Sequence, residues 1–241
     1  MMLGSLTNLI ALDWSAVRHM VRPGDVVFDI GAHIGLHSVM FAAAIGPTGR
    51  LHAFEANPKK ISPLAETIGR LPNATLHRFG LSDRPGEATL FVPEDQSMTS
   101  LADWTEGRVG AVGRTSCVLR TLDDVVDAGE ATPPDFVKCD VEGAELSVFR
   151  GASRVLDRPD AAVLFYEADA RSARAFGNHV AAATRFLLSL RAPNYSIFWV
   201  RKRGLAPIEA PGGKREHFNL VAVPAARRDR IANVPQVIEE L

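Results

Sequence analysis

The chain has 241 residues, of which 46% are hydrophobic and 23% charged, so it can form one large α/β domain or at most two small ones. Its formal net charge of −1 excludes a domain-wide basic field for nucleic acid and an acidic tail. The sequence therefore predicts no nucleic-acid partner. No run of about 18 apolar residues occurs, so no membrane span is predicted either.

Two cysteines, Cys117 and Cys139, limit the chain to one disulfide at most. Cys139 lies within an apolar stretch, where a free thiol behaves as a small hydrophobic side chain, and a reducing, cytoplasmic setting is expected. The N-terminal stretch MMLGSLTNLIALDWS has neither a basic leading region nor a small-residue cleavage site, so no signal peptide is expected.

The first half of the chain alternates short apolar runs with helical patterns. DVVFDI is typical of a strand covered on both faces, and GPTG (46–49) marks the end of the helix that follows it. Pro63 indicates that the next helix begins late, at Ser62–Pro63, or has a broken first turn. The predicted elements are strand 25–30, helix 36–45, strand 50–56, helix 58–70, strand 74–82 and an extended segment over 87–93.

The second half resumes this alternation after a long polar loop over 94–115. Thr121 is the expected N-cap of a short helix. The final two apolar runs have no helix between them and are expected to pair antiparallel. The predicted elements are helix 120–129, strand 135–141, helix 142–156, strand 161–169, helix 172–190 and strands 195–200 and 218–224.

This order of strands and helices predicts one doubly wound α/β domain over the whole chain. We expect a helical lead-in over 1–24, the core over 25–224 and a tail over 225–241. The basic clusters RKR (201–203) and RRDR (227–230) are expected to be solvated surface.

The stretch DIGAHIGLHS (29–38) follows the first strand and opens the first helix. Gly31 and Gly35 allow a tight turn and a close backbone approach, and the helix N-terminus offers N–H groups to an anion. Glu55 ends the second strand, 26 residues after Asp29, where an acidic side chain suits a ribose diol. These features predict an adenosine-type cofactor, and an ordinary tight turn is the alternative.

His33 occupies the place of the middle glycine in the dinucleotide fingerprint GxGxxG, so the closest backbone approach to a pyrophosphate is lost. S-adenosylmethionine has no pyrophosphate, and its charged groups would match Asp29 and the helix N–H groups. We therefore expect S-adenosylmethionine in preference to a nicotinamide dinucleotide.

Carboxylates crowd into DVEGAE (140–145), directly after the strand predicted over 135–141. Ligands in open α/β sheets bind outside the carboxyl ends of the strands, so Asp140 and Glu142 are expected to face the reacting groups. Glu145 lies one helical turn after Glu142 and could serve the helix N-terminus instead. The alternative is that all of these acids only cap the helix.

The strand predicted over 161–169 ends in FYEAD, which brings Glu167 and Asp169 to the same edge. Carboxylates gathered there would repel one another. Mg²⁺ held by Asp140, Glu167 and Asp169 would relieve that repulsion and bind a substrate hydroxyl. The alternative is an ion pair between Glu167 and a basic residue such as Lys138.

His33 and His37 are four residues apart on the first helical pattern and could form a pair of metal ligands. The preferred expectation is that one lines the cofactor pocket and the other packs. Either imidazole could act as a general base near neutral pH.

Six motifs occur in the order VVFDIGAHIGLHS, AFEANP, GLSD, TLDD, DFVKCDVEGAELSVFRGA and FYE. Over roughly residues 25–170 they resemble the FkbM family of S-adenosylmethionine-dependent methyltransferases, and DFVKCDVEGAE followed by RGA is the most specific part. The resemblance implies the class I methyltransferase fold, a Rossmann-like doubly wound sheet of about seven strands whose last strand is antiparallel.

The resemblance also implies which residues bind the cofactor. They are Asp29, Gly31, Ala32, His33 and Gly35 at the methionine end, Glu55 and Asn57 at the ribose, Gly80, Leu81 and Ser82 near the adenine, Ser100 and Leu101 closing over it, and Asp140 at the methyl group. The chain departs from the usual family pattern at His33, where Asn is common, at Ala56, where Pro is common, and at Cys139, where Ile or Met is usual.

The expected reaction is transfer of the sulfonium methyl group to an acceptor hydroxyl by in-line displacement. The family resemblance implies a small-molecule acceptor, foremost a sugar, glycoside or polysaccharide precursor, with a polyketide-type product as the alternative. Two other classes stay open, a nicotinamide-dependent oxidoreductase and a catalytically silent scaffold, and a homodimer is compatible with the sequence. The candidate catalytic residues are Asp140, Glu142, Glu167, His33 and His37.

Overall fold

The computed structural model describes residues 17–94, 98–103, 112–202, 204–213, 215–235 and 237. Over these residues the apolar runs form a large central sheet and a separate three-stranded sheet. The strands in chain order are β1 Val26–Ile30, β2 Arg50–Phe54, β3 Ala74–His77, β4 Gly80–Leu81, β5 Gly86–Val92, β6 Gly113–Arg120, β7 Phe136–Cys139, β8 Val163–Asp169, β9 Ser196–Arg201, β10 Gly204–Pro207 and β11 His217–Val223.

The central sheet has eight strands in the order β10-β9-β11-β8-β7-β1-β2-β3. β1 pairs in parallel with β2 and with β7, and β7 pairs in parallel with β8, so the carboxyl ends of these four strands meet at one edge. β11 runs antiparallel to both β8 and β9, which confirms the antiparallel pair predicted for the last two apolar runs. The strands β4, β6 and β5 form the smaller sheet.

The α-helices of the described residues are α1 Leu36–Ile45, α2 Pro58–Ile68, α3 Leu122–Asp127, α4 Glu145–Arg150, α5 Ser153–Leu156, α6 Ala170–Ala175 and α7 Ala182–Ser189. They cover both faces of the central sheet, because successive strand residues point to opposite sides. Phe28 of β1 shares a buried cluster with Phe149 and Tyr166, whereas its neighbour Val27 packs with Phe41 of α1. Burial of each such side chain contributes about 1.5–3 kcal/mol.

Three strand boundaries differ from the predicted ones. Residues 204–207, expected within a connection, pair with β9 as β10, which gives eight strands where about seven were expected. The strand expected over 74–82 is divided between β3 in the central sheet and β4 in the smaller sheet. β6 begins at Gly113, inside the expected loop, because it pairs along its whole length with β5. Residues 95–97 and 104–111 of that loop lie outside the described part.

Helix α2 begins earlier than Pro63 suggested. The Asn57 side chain accepts a hydrogen bond from the Lys59 N–H at 3.0 Å, and Pro58 occupies the first turn, where a missing N–H costs nothing. Pro63 is therefore inside the helix. The cap predicted for α3 is confirmed, since the Thr121 hydroxyl accepts from the Asp124 N–H at 3.0 Å.

Two helices predicted as continuous are each divided at a glycine. The helix expected over 142–156 is interrupted at Gly151, where a Cβ atom would lie 1.9 Å from the carbonyl oxygen of Ser82. The helix expected over 172–190 is interrupted after α6, where Gly177 has a φ of 69°. Both breaks follow from tertiary contact or backbone geometry that helical periodicity does not report.

The ends of the predicted domain are described only in part. Residues 1–16 of the expected lead-in lie outside the described residues, and the expected tail begins with a 3₁₀ helix over Ala225–Ile231. Within the described ranges, no helix combines the length and the apolar character that crossing a bilayer requires.

Arg230, in a cluster expected to be solvated, is buried and fastens this 3₁₀ helix to the start of β1. Its guanidinium donates to the two carboxylate oxygens of Asp25 at 2.5 and 3.0 Å and to the Met20 carbonyl at 3.1 Å. Both members of the pair are buried. The contact joins residues about two hundred positions apart.

We expect Arg230→Met to lower the free energy of unfolding by about 3–5 kcal/mol, because it leaves the Asp25 carboxylate buried without its cation. The matched control is Arg228→Met, since Arg228 is exposed and only its hydrogen bond to Ser196 is lost. That variant should stay within about 0.5 kcal/mol of the parent in urea unfolding. Equal, small effects of the two substitutions would contradict the buried ion pair.

Candidate functional site

The carboxyl ends of β1, β2 and β7 open into one pocket at the edge of the central sheet, which we call the edge pocket. Most of the predicted cofactor-binding residues line it. From the predicted cofactor-binding set, the lining contains Gly31, His33, Glu55, Asn57, Gly80, Leu81, Ser100, Leu101 and Asp140, and the predicted catalytic residue Glu142 lines the pocket as well. The predicted cofactor-binding residues outside the lining are Asp29, Ala32, Gly35 and Ser82.

The turn after β1 needs glycine for a steric reason. A Cβ on Gly31 would stand 2.0 Å from the backbone oxygen of Asp140, so the β1 and β7 turns can approach only without a side chain there. His33 has a φ of 55°, in the left-handed region that Asn, Asp and His occupy more readily than other side chains. A histidine in place of the Asn that is usual at this position can therefore adopt the same left-handed backbone conformation.

Glu55 is fixed by two backbone donors at the floor of the edge pocket. One carboxylate oxygen accepts from the His33 N–H and the other from the Asn57 N–H, each at 2.7 Å. Burial raises the pKa of Glu55, and the two N–H groups oppose that shift. The carboxylate thus has one orientation, with its remaining lone pairs available to two adjacent hydroxyls.

Asp29 lies behind the pocket wall and does not line the pocket. It is fully buried, accepts a hydrogen bond from the Ser38 hydroxyl at 2.6 Å and lies 3.4 Å from Nζ of Lys138. Gly35, at the N-terminus of α1, packs against Leu64 of α2. These residues shape the turn, and the cation that Asp29 contacts in the structure is Lys138.

Lys138 is the cation that the carboxylates of this edge surround. Its Nζ lies 3.4 Å from Asp29, 3.3 Å from Asp140 and 3.3 Å from the Gly31 carbonyl oxygen, to which it donates a hydrogen bond. Burial alone would lower the pKa of Lys138, but the two carboxylates raise it, so the ammonium stays charged. Burial would raise the pKa of Asp140, but Lys138 lowers it overall.

Asp140, Glu142 and Glu167 form what we call the carboxylate cluster, in which one oxygen of each lies within 4.8 Å of the others. Burial, followed by the charge of Glu167, raises the pKa of Glu142 to about 10. Burial raises the pKa of Glu167 to about 7. Such a cluster holds protons near neutral pH, can accept one from a hydroxyl, and offers the oxygen ligands that a hard cation prefers.

His217, at the start of β11, is a site residue that the sequence did not reveal. Its Nδ1 lies 2.8 Å from an Oε1 of Glu167, and the hydrogen bonds to Asp169 and Glu167 raise the pKa of His217 to about 10. Glu167 therefore pairs with His217, which corrects the alternative of a Glu167–Lys138 ion pair. Only the topology could have indicated His217: a strand that runs antiparallel to β8 begins at the carboxyl edge, so its first residue lies near the end of β8.

Two predicted carboxylates serve helix ends. Asp169 caps α6, accepting from the Arg171 N–H at 2.8 Å and the Ser172 N–H at 3.1 Å, so Glu142 takes its place in the possible metal-ligand set. Glu145, the first residue of α4, accepts from the N–H groups of Val141 and Gly143, which agrees with the predicted role at the helix N-terminus. The alternative that all of these acids only cap the helix does not describe Asp140 and Glu142, whose carboxylates lie together with that of Glu167.

The two candidate histidines separate to different places. His33 lines the edge pocket, whereas His37 lines a small neighbouring cavity. That cavity, which we call the side cavity, is lined by His37, Lys138, Asp140, Phe165, Glu167, His217 and Asn219. Burial and Lys138 lower the pKa of His37. Its imidazole is therefore neutral at pH 7 and remains a competing base beside Glu167.

Ser100 links the segment over the edge pocket to the turn that carries the cluster. Its hydroxyl donates to the Glu142 carbonyl at 2.7 Å, and its backbone pairs with Phe91 of β5. Glu142 itself has a φ of 53°. Ser100 and Leu101 thus both line the edge pocket.

Comparison with known proteins gives a consistent result. A family model described as the methyltransferase FkbM domain matches residues 29–196. The hexuronic acid methyltransferase AglP of Haloferax volcanii is 32% identical over 133 residues, covering 55% of this chain and 52% of that protein. The 2-O-methyltransferase NoeI of Sinorhizobium fredii is 25% identical over 167 residues, covering 63% and 67%. The match to AglP thus spans about half of that relative's length.

Among solved structures, the methyltransferase FkbM from Methylobacillus flagellatus superposes with a TM-score of 0.53 at 20% identity. The match covers 83% of this chain and 43% of that one. The likeness shows the fold, and the predicted class I methyltransferase fold is confirmed, with the antiparallel strand β11 inserted between β8 and β9.

The carboxylate cluster predicts where Mg²⁺ would bind. We expect Glu142→Gln to weaken Mg²⁺ binding by about tenfold or more, because a neutral amide oxygen replaces a carboxylate that can carry negative charge. Asp169→Asn should leave that affinity unchanged, since Asn also caps helices and Asp169 lies outside the cluster. Calorimetric titration of metal-stripped protein measures both. Equal loss in the two variants, or no Mg²⁺ binding to the parent, would contradict the assignment.

Proposed function

The chain belongs to the FkbM methyltransferase family, and we propose that it transfers a methyl group from S-adenosylmethionine to a hydroxyl of a sugar, glycoside or polysaccharide precursor. One observation supports this most strongly. A single pocket is lined both by Glu55, which suits a ribose diol, and by Asp140 and Glu142, which suit the reacting end. Membership of a methyltransferase family also replaces the nicotinamide oxidoreductase alternative.

The residues of the edge pocket fit an adenosine-type ligand. Glu55 accepts two backbone N–H groups and retains lone pairs for two hydroxyls. The apolar side chains of Leu81 and Leu101 offer contact for a base, and Gly80 of β4 has no side chain to block its approach. No phosphate-binding turn with three glycines follows β1, which agrees with a ligand that lacks a pyrophosphate.

The acceptor class is supported by the relatives. One is named for hexuronic acid and another for methylation at a 2-O position. The first name is that of a sugar acid, and the second specifies transfer to an oxygen atom. The acceptor would enter beside the carboxylate cluster, on the side away from Glu55, where the side cavity adjoins Asp140.

The methyl donor supplies an already activated methyl group, so no covalent enzyme intermediate is required. The chain's residues align the acceptor oxygen, and they receive the hydroxyl proton as the oxygen–carbon bond forms and the sulfur–carbon bond breaks. Glu167 is the preferred base, because its pKa of about 7 matches the working pH and His217 holds it at 2.8 Å. Lys138 fixes Asp140 beside it. If bound, Mg²⁺ would polarise the acceptor hydroxyl.

We expect Glu55→Gln to weaken binding of S-adenosylhomocysteine by about tenfold, because an amide cannot accept both backbone N–H groups and the two ligand hydroxyls. Glu66→Gln, on the exposed side of α2, is the control and should bind as the parent does. Titration calorimetry measures the affinity, and thermal unfolding shows that both variants are folded. Parent-like binding by Glu55→Gln would overturn the ribose role.

We expect Glu167→Gln to lower kcat for methyl transfer by about 100-fold, because the base that receives the hydroxyl proton is lost. Binding of S-adenosylhomocysteine should change little, since Glu167 does not line the edge pocket. The assay follows a tritiated methyl group from S-adenosylmethionine onto a panel of glycosides.

The matched control for the base is Glu87→Gln, an exposed glutamate of β5. It should transfer methyl groups at the parent rate. A parent-like kcat in Glu167→Gln, with His37→Asn nearly inactive, would reassign the base to His37.

A further inference from the structure

His37, near the start of α1, carries a buried ring nitrogen that lacks a hydrogen-bond partner among the described residues. This nitrogen, Nε2, is shielded from solvent as well. The imidazole lines the side cavity and does not line the edge pocket. A buried polar atom without a partner costs free energy that a bound group would recover. The unpaired nitrogen therefore indicates a polar group that enters the side cavity.

The register of the central sheet places the side cavity on the face that α1 covers. Glu167 of β8 pairs with Asn219 of β11, and Phe165, two residues before Glu167, lies on the same face. Phe165 belongs to the buried cluster that contains Phe41 of α1. His37 lies one helical turn before Phe41, and the ring centroids of the two are 6.3 Å apart. His37 therefore lies over the same face as Glu167, at the edge where α1 begins.

The other polar groups of the side cavity already have partners. Glu167 is held by His217 at 2.8 Å, and Lys138 lies 3.3 Å from Asp140. An imidazole nitrogen is a possible metal ligand, but within the described part of the chain neither nitrogen of His37 joins the carboxylate cluster. The expected partner of Nε2 is therefore a group other than the Mg²⁺ ion predicted at that cluster.

A hydroxyl group suits Nε2 in every protonation state of the imidazole. It accepts a hydrogen bond when Nε2 carries a proton and donates one when Nε2 is bare. A carboxylate can only accept and an ammonium can only donate, so each of them suits one form of the ring. The side cavity thus offers a hydroxyl-binding nitrogen at His37 and a proton acceptor at Glu167.

We propose that Nε2 of His37 binds a second hydroxyl group of the methyl acceptor, while the reacting hydroxyl lies at Glu167. This subsite rests on the proposed function and deepens it. A ring with several hydroxyls, such as a sugar, satisfies both residues, whereas a polyketide-type acceptor with an isolated hydroxyl leaves Nε2 unpaired. In this arrangement His37 orients the acceptor and Glu167 receives the proton.

The test uses the full chain saturated with S-adenosylhomocysteine, with an isotope label in the histidine rings. The His37 signal is the one missing from the NMR spectrum of His37→Phe, a variant that keeps a ring to pack against Phe41. The probes are methyl glucoside, methyl galactoside and methyl mannoside, which carry several hydroxyls, and cyclohexanol, which carries one. We expect at least one glycoside to shift the His37 signal and to bind about tenfold more tightly than cyclohexanol.

His37→Phe should weaken binding of that glycoside by about tenfold, because one hydroxyl loses its partner, and it should leave the affinity for cyclohexanol unchanged. The matched control is His19→Phe. His19 is exposed and lies beside Met20, whose carbonyl oxygen Arg230 binds together with Asp25 at the start of β1, so it is at the opposite edge of the sheet. The control variant should bind every probe as the parent does.

Kinetics separate the orienting role from that of a base. With a glycoside that is methylated, His37→Phe should raise KM by about tenfold and lower kcat much less than Glu167→Gln does. The opposite pattern, a kcat as low as that of Glu167→Gln with KM unchanged, would make His37 the base and overturn the subsite.

Three binding results would also overturn it: no glycoside shifts the His37 signal, cyclohexanol binds as tightly as the glycosides, or the His37 and His19 variants have equal affinities. A prior titration with S-adenosylhomocysteine alone keeps the two proposals apart. Its failure removes the proposed function itself, whereas its success with failure of the glycosides removes only the hydroxyl subsite.

Discussion

The site depends on one buried ammonium group, that of Lys138, which is only 3% exposed and lies between Asp29 and Asp140. A charge so far from water is tolerated because two carboxylates and the Gly31 carbonyl oxygen surround it. The same contacts fasten the turn after β1 to the turn after β7. This explains a lysine inside an otherwise apolar strand: it joins the two turns from which the edge pocket is built.

The carboxylates at this edge of the sheet differ in the groups that balance their charge, and they therefore differ in chemistry. Asp140 is balanced by Lys138 and Glu167 by His217, so Glu142 is the cluster member whose charge is most strongly opposed by burial and by its neighbours. Glu55, in contrast, accepts hydrogen bonds from two backbone N–H groups and has no side-chain cation beside it among these contacts, which suits the proposed contact with neutral hydroxyls. The residues proposed for cofactor binding and for proton acceptance therefore lie side by side along one sheet edge.

Much of this arrangement could be predicted from the sequence, because a parallel sheet brings the residues after each strand together. The positions of Glu55, Asp140 and Glu142 follow from that rule, and the contacts of Glu145 with backbone N–H groups follow from its place in the first turn of a helix. His217 and β10 were missed because their positions depend on antiparallel register, which no local pattern encodes. Asp169 was misassigned because a helix cap and a metal ligand look alike until the backbone direction is known.

The central claim is that the edge pocket binds S-adenosylmethionine, and titration calorimetry tests it most directly. The parent protein is titrated with S-adenosylhomocysteine and, in parallel, with NAD⁺. Binding of S-adenosylhomocysteine at micromolar concentrations with no heat from NAD⁺ is the result the account predicts. Binding of NAD⁺, or no binding of S-adenosylhomocysteine, would contradict it.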